Sequence, residues 1–180
     1  MKLTLAAWLL LAATPLFAAP VDSGASRIDF TLKQMDIPMQ GQFKRFSGDI
    51  VLDPGKPAQG KADLTIQIAG ISLPTSDANA QVQRPEWFNA ARYPTARFVT
   101  TSIKPLGGNH FQFNGKLTIK GITRDVSAPF VVNRQGALTV ADGALAVSRL
   151  SFKVGEGDWA DTDTVADTVL IKFHVAFPGK

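Results

Sequence analysis

A regular alternation of apolar and polar residues, with a period of two, runs through most of the chain and constrains its fold more than any other feature. Successive side chains of a β-strand point to opposite faces, so this pattern predicts strands that are apolar on one face only. In the first of them, Ile28, Phe30 and Leu32 alternate with polar residues. Eight strands are predicted, over residues 27–33, 46–52, 64–68, 96–102, 111–119, 126–132, 138–147 and 169–177.

Turn residues separate the predicted strands, as at Asp53-Pro54-Gly55, Gly107-Gly108-Asn109 and Gln135-Gly136. Strands joined by such short loops must be antiparallel, because parallel pairs need long crossover connections. A sheet with one apolar face buries that face by closing into a barrel or by stacking on a second sheet. The sequence therefore predicts an all-β, antiparallel domain, and the choice between barrel and sandwich stays open at this point.

Two stretches lack the alternation, residues 75–93 and residues 150–167. In the first, apolar residues fall at helical spacings, and Arg84-Pro85-Glu86 has the proline and the acidic residue that favour a helix start. We expect two short helical turns here, inserted between early strands and capping one end of a barrel.

The first 18 residues are typical of a bacterial secretory signal peptide. Lys2 precedes an apolar run, and small residues follow at Ala18 and Ala19. The apolar run is short against the ~20 residues of a membrane-spanning helix, which leaves an uncleaved anchor as the alternative. We expect cleavage after Ala18, a mature domain over residues 19–180 and a periplasmic location.

Composition argues against most catalytic and nucleic-acid-binding classes. The chain has no cysteine and two histidines, which excludes thiol catalysis and makes a zinc site improbable. Its net charge of +4 is scattered, without the basic run expected of a nucleic-acid site. Residues 155–160 match a dinucleotide pattern, but no strand–turn–helix context surrounds them. We expect no enzyme activity, no metal and no cofactor.

Phenylalanine is the conspicuous residue type, with 12 Phe against one Tyr. Most of these residues lie on the apolar parity of their strands, so they face the interior of the domain. An eight-stranded barrel is either filled by its side chains or just wide enough for one ligand. Periodicity alone leaves both a packed core and a ligand cavity open.

The segment from Gly115 to Val126, GKLTIKGITRDV, resembles the signature G-x-L-T-I-x-G-x-T-R-x-V of the YceI-like family. Segments 26–30, 41–48, 84–89, 93–98 and 148–152 resemble further family motifs in the same order. Residues 157–162 resemble a subgroup that accompanies cytochrome b561 modules. Two positions depart from the family pattern, since family histidines are replaced by Ala25 and Gln34, and the Arg-Asp pair that often precedes the helix is missing around residues 77–79.

This resemblance implies a periplasmic, lipocalin-like barrel of eight strands that binds a polyisoprenoid or quinone tail. Apolar residues on the inward parity and in the helical insertion are then expected to line the lipid cavity: Phe30, Phe43, Phe46, Ile66, Ile68, Trp87, Phe88, Phe98, Phe113, Leu117, Phe130 and Phe173. Arg84, Arg124 and Arg149 are the candidate headgroup ligands, because guanidinium groups bind pyrophosphate in bidentate geometry. For Arg124 the alternative is a structural ion pair with Asp125 or Asp53.

Three functions remain open from the sequence. The favoured one is a carrier of an isoprenoid lipid or quinone without chemistry of its own. The second is a partner-binding accessory domain for a membrane cytochrome of the b561 type, with a packed interior, and the third is an enzyme that acts on isoprenoids. The oligomeric state stays open, with a homodimer among the alternatives.

Overall fold

The structure, a computed structural model, describes residues 18–179. The predicted signal peptide therefore lies, apart from Ala18, outside the described residues. Eleven strands form one antiparallel sheet: β1 (Ala19–Pro20), β2 (Arg27–Gln34), β3 (Ile37–Phe43), β4 (Phe46–Val51), β5 (Lys61–Gln67), β6 (Ile71–Ser72), β7 (Thr95–Gly107), β8 (His110–Ile119), β9 (Ile122–Gln135), β10 (Leu138–Ser148) and β11 (Thr168–Pro178). No helix in the described part of the chain has the length and apolarity needed to cross a bilayer.

The sheet closes on itself through two interrupted strands. Its order is β1-β4-β5-β7-β8-β9-β10-β11-β2-β3-β6. Only Lys44 and Arg45 separate β3 from β4, and only a 3-10 turn, Ile68–Gly70, separates β5 from β6. Hydrogen bonds from Lys44 N to Gly70 O (2.8 Å) and from Gln67 N to Arg45 O (2.9 Å) continue the pairing across both interruptions. Because β3 pairs with β2 while β4 pairs with β5, the sheet forms a closed ring of strands, that is, a barrel.

The predicted all-β, lipocalin-like architecture is confirmed, with a difference in the number of strands. When β3 with β4 and β5 with β6 are each taken as one interrupted strand, eight long segments form the wall, and β1 is a two-residue addition. The prediction missed β3 because Pro38 and Gly41 are residue types that strands disfavour, although Ile37, Met39 and Phe43 share one parity. The breaks at residues 44–45 and 68–70 interrupt these two strands of the wall.

Tight turns close two of the hairpins. Met35 and Asp36 both have positive φ, 47° and 61°, between β2 and β3, and Lys120 and Gly121 have φ of 52° and 74° between β8 and β9. Two consecutive residues with positive φ match the right-handed twist of the flanking strands, as in type I′ turns. Both hairpins therefore have their register fixed by the turn.

The two irregular stretches lie together over one end of the barrel. Helix α1 (Ser76–Gln81) is capped at its N-terminus by Thr75, whose hydroxyl accepts a hydrogen bond from Ala78 N (3.2 Å). The predicted helix start at Arg84-Pro85-Glu86 is wrong, because the backbone folds back there: Phe88 N donates to Val82 O (3.1 Å), and the segment ends with Asn89 at a φ of 49°. The carbonyl of Glu86 accepts from Gly155 N and Glu156 N, both at 2.8 Å, which ties the two stretches into one cap.

Candidate functional site: an apolar cavity inside the barrel

The barrel encloses an elongated cavity of about 220 Å³. Nearly all of its lining is hydrocarbon, and only four lining residues carry a side-chain nitrogen or oxygen: Lys61, Trp87, Thr100 and Arg149. Such a surface binds apolar groups through burial and offers few polar contacts. The interior is therefore not the fully packed core that the Phe content alone would also permit.

Eleven of the twelve predicted cavity residues line this space. They come from the strands β2, β3, β5, β7, β8, β9 and β11, from the 3-10 turn Ile68–Gly70 and from the cap: Phe30, Phe43, Ile66, Ile68, Trp87, Phe88, Phe98, Phe113, Leu117, Phe130 and Phe173. Phe46 is half-buried and packs against the core without being part of the described lining. That these residues bind a lipid stays a prediction.

Glycines in the wall explain why so many Phe side chains leave the barrel hollow. Phe30 lies opposite Gly41 and Phe173 lies opposite Gly143 on paired strands, and each ring occupies the place where a Cβ of that glycine would be. In the same way, a Cβ on Gly115 would lie 2.5 Å from Cε2 of Phe98. The rings thus lie against the backbone of the neighbouring strand and do not extend across the lumen.

Phe113 stands at the centre of the aromatic lining. Its ring centroid is 5.0 Å from that of Phe98, in an edge-on arrangement, and 6.1 Å from those of Phe130 and Phe173. Aromatic pairs at such distances and tilts are mutually stabilising. This cluster therefore gives the middle of the cavity a rigid apolar wall.

The two ends of the cavity differ. Within residues 18–179, Lys61 at the start of β5 is the exposed member of the lining. Ile68, which follows the end of β5, is buried beneath the cap, where Gln83 Nε2 donates to its carbonyl (3.1 Å). Seven residues of extended chain separate the two positions, which corresponds to about 23 Å. The lining of the cavity thus extends from the exposed Lys61 to a closed end near Trp87, beneath the cap.

Arg149 forms the polar part of the closed end. It is buried, with 4% of its surface exposed, and its guanidinium donates five hydrogen bonds to backbone carbonyls. The acceptors, at 2.6–3.1 Å, are the carbonyl oxygens of Val154, Gly155, Trp159, Val165 and Ala166.

Burial lowers the pKa of the Arg149 guanidinium, and the Asp167 carboxylate opposes that shift. An arginine stays charged in spite of such shifts. Since a guanidinium has five N–H donors, all of those of Arg149 are already used within the protein. Arg149 thus holds segment 154–166 against the barrel and has no donor left for a pyrophosphate.

The other two candidate headgroup residues lie outside the cavity. Arg84 and Arg124 are both exposed, and neither belongs to the described lining. Arg124 Nε donates a long hydrogen bond to Ser151 O (3.3 Å). The alternative ion pair of Arg124 with Asp125 is not formed, because Asp125 binds Lys116 at 2.8 Å. The structure does not bring the three arginines together into one anion site.

Trp87 carries the one buried side-chain nitrogen or oxygen in the described residues that lacks a hydrogen-bond partner, its Nε1. The side chain lines the cavity and is 8% exposed. Its ring packs against Trp159 at a centroid distance of 5.4 Å, and the Arg149 guanidinium lies 5.9 Å from the ring centroid. The indole nitrogen is thus enclosed by protein, and the surface that the cavity presents stays almost wholly hydrocarbon.

Comparison with known proteins identifies the family. A family profile described as the YceI-like domain matches residues 20–177. The chain belongs to the YceI-like domain family. The YceI-like domain is 45% identical to BcnA of Burkholderia cenocepacia, whose crystal structure superposes with a TM-score of 0.84 over 87% of this chain and 98% of that one.

Proteins of lower sequence identity are similar to this chain as well. Protein YceI of Escherichia coli O157:H7 is 30% identical over 54% of this chain and 51% of its own length, so the chain spans about half of this curated relative. A polyisoprenoid binding domain from Saccharophagus degradans, implicated in plant cell wall breakdown, has a TM-score of 0.73 over 91% of this chain and 99% of that domain. At 16% identity, that likeness concerns the fold alone.

Sequence reasoning missed the carbonyl site of Arg149 in this YceI-like domain, although one signal was present. Arg149 follows the buried Leu145 and Val147 at a spacing of two residues, so its side chain points to the same, inward side of the strand. Gly155, within the apparent dinucleotide pattern, has a φ of 81°, and a Cβ there would collide with Arg149 Nη1. The glycine of the apparent dinucleotide pattern at position 155 is thus explained by the close approach of the backbone to the buried Arg149 guanidinium.

Proposed function

We propose that this protein binds an isoprenoid lipid, with its apolar chain inside the barrel, and acts as a carrier without chemistry of its own. The observation that carries the proposal is the almost wholly hydrocarbon cavity inside the barrel. A lining with so few polar groups recognises an apolar chain by shape and burial. The membership of the YceI-like family supports the same ligand class.

The size of the cavity sets an expectation for the ligand. A cavity of about 150 Å³ holds one benzene, so the observed volume holds roughly nine carbon atoms, or about two five-carbon isoprene units. Burial contributes about 0.8 kcal/mol per CH₂, and the ordering of the chain offsets part of that gain. A longer tail must extend out of the cavity or move the Phe rings of the wall.

Binding of isoprenols of increasing length tests the proposal. Purified, delipidated protein is titrated with alcohols of one, two, three and four isoprene units, with straight-chain diols of equal carbon number as controls. We expect the affinity to rise at least tenfold from one unit to two, since each added carbon is buried, and to rise less steeply beyond. An affinity that does not depend on chain length would contradict the proposal.

We further propose that the carrier works in the periplasm after removal of residues 1–18, and that it passes its ligand to a membrane cytochrome of the b561 type. The first part rests on the apolar leader, and the second on the resemblance of residues 157–162. Fractionation of the native host, with N-terminal sequencing of the mature chain, tests the first. Cross-linking from the exposed Asp158 tests the second, and a cytochrome that is never recovered with the carrier would contradict it.

A further inference from the structure

Trp87 bounds the cavity from the cap and not from the barrel wall. It lies between α1 and β7, in the irregular stretch that covers the closed end, and its side chain is both buried and part of the lining. Because the indole nitrogen is enclosed by protein, the ring presents only its hydrocarbon part to the lumen. An apolar chain inside the barrel therefore meets an apolar ring at this end.

The neighbours of Trp87 hold its ring in place. Trp159 packs against it at a centroid distance of 5.4 Å and does not belong to the described lining, so Trp87 stands between Trp159 and the lumen. The buried Arg149 guanidinium lies 5.9 Å from the Trp87 ring centroid and donates to the Trp159 carbonyl (2.7 Å). The carbonyl of Glu86, the residue before Trp87, is hydrogen-bonded to the second irregular stretch. Trp87 is thus part of a fixed structure that does not yield to a longer chain.

Different residues limit the width and the length of the cavity. The rings of Phe30 and Phe173 lie against glycines of the neighbouring strands and bound the cross-section. Trp87 is the largest side chain that the cap contributes to the lining. The cavity of about 220 Å³ holds roughly nine carbon atoms, so a chain of three isoprene units fills it and contacts its closed end, whichever way the chain enters.

We propose that Trp87 sets the length of apolar chain that the barrel encloses. This inference rests on the proposed function and adds to it the residue that determines chain-length specificity. A smaller apolar side chain at this position would leave space between the lumen and the Trp159 ring. Trp87→Leu removes about six non-hydrogen atoms, which is close to the five carbons of one isoprene unit. The enclosed chain should then be longer by one unit.

Titration with alcohols of one, two, three and four isoprene units tests the proposal. In the wild-type protein, we expect the affinity to rise at least tenfold from one unit to two and less than about threefold for each further unit. In Trp87→Leu, the step from two units to three should also be at least tenfold, because the added carbons are now buried. Phe113→Leu is the matched control, since it shortens a lining ring at the middle of the cavity. It should weaken binding of all four alcohols and leave the break after two units.

A measurement on the wild-type protein keeps the test valid if Trp87→Leu does not fold. Nuclear Overhauser contacts should connect a bound three-unit alcohol with the ring protons of Trp87, whose signals are distinguished from those of Trp159 by the spectrum of Trp159→Phe. A break that stays after two units in folded Trp87→Leu, a break that moves equally in Phe113→Leu, or the absence of contacts with Trp87 would each overturn this inference alone. A wild-type protein that binds none of the four alcohols would overturn the proposed function together with it.

Discussion

Replacement of Arg149 by Met should destabilise the protein strongly, because Arg149 organises the closed end of the barrel. The substitution keeps an unbranched apolar stem and removes the guanidinium with its five hydrogen bonds to carbonyls. Of these contacts, the ones to Val154, Gly155 and Val165 are buried, so water reaches these carbonyl oxygens only if the cap opens. At about 1–3 kcal/mol for each unsatisfied buried group, and with partial relaxation, the free energy of unfolding should fall by about 3–5 kcal/mol.

Urea denaturation, followed by tryptophan fluorescence, measures this change. Arg124→Met is the matched control, since Arg124 is exposed and makes one long hydrogen bond, and it should alter stability by less than about 0.5 kcal/mol. Arg149→Lys keeps the charge but has fewer donors, so we expect a loss between those of the two Met variants. A loss below about 1 kcal/mol for Arg149→Met, together with weaker lipid binding, would refute a structural role and restore Arg149 as a headgroup ligand.

Two further predictions concern Gly41 in the barrel wall and Glu156 in the cap over the closed end. Gly41→Ala should force the Phe30 ring off the wall and into the lumen, which lowers stability by about 1–3 kcal/mol and weakens isoprenol binding. The surface control Gly24→Ala should change neither quantity, and unaltered binding in Gly41→Ala would show that the ring does not depend on that glycine. Glu156→Gln should lower stability at pH 7 by about 0.5–1 kcal/mol, because Lys120 holds the pKa of this partly exposed carboxyl below its usual range. A depressed carboxyl pKa stabilises the fold above the unfolded value of roughly 4.3 and ceases to do so as the pH falls through the folded value, so the wild-type and variant denaturation curves should converge below that folded value. A difference that persists there would mean that the ion pair is not its cause.

The strands could be predicted from the sequence because their physical signal is local. The alternation places one face of each strand in the core, and Phe30, Phe113 and Phe130 accordingly point inward and are buried. Strand β3 carried a weaker signal, since Pro38 and Gly41 are disfavoured in strands and Ile37 is 67% exposed. The closure of the ring through Lys44 and Arg45 also had no local signature.

The candidate site was only partly predictable, for a related reason. Parity indicates which side chains face the interior, but whether the interior is full depends on what stands opposite each ring on the next strand. The pairing of Phe30 with Gly41 and of Phe173 with Gly143 is a matter of register, which becomes visible only in the folded sheet. Whether Arg149 is free to bind a ligand likewise depends on the backbone carbonyls that surround it, and these come from residues that the sequence alone does not place near it.

Extraction of the purified protein with organic solvent, followed by mass spectrometry, tests the central claim most directly. The wild-type protein should yield an isoprenoid lipid in near-equimolar amount. Phe113→Asp, which puts a charge at the centre of the aromatic lining, and Ala141→Leu, which fills the lumen without a charge, should both yield none while retaining the β circular dichroism spectrum. His110→Asp, on the exposed surface of the same strand as Phe113, should retain the lipid. A wild-type protein free of isoprenoid, or an equal lipid content in folded Ala141→Leu, would contradict the account.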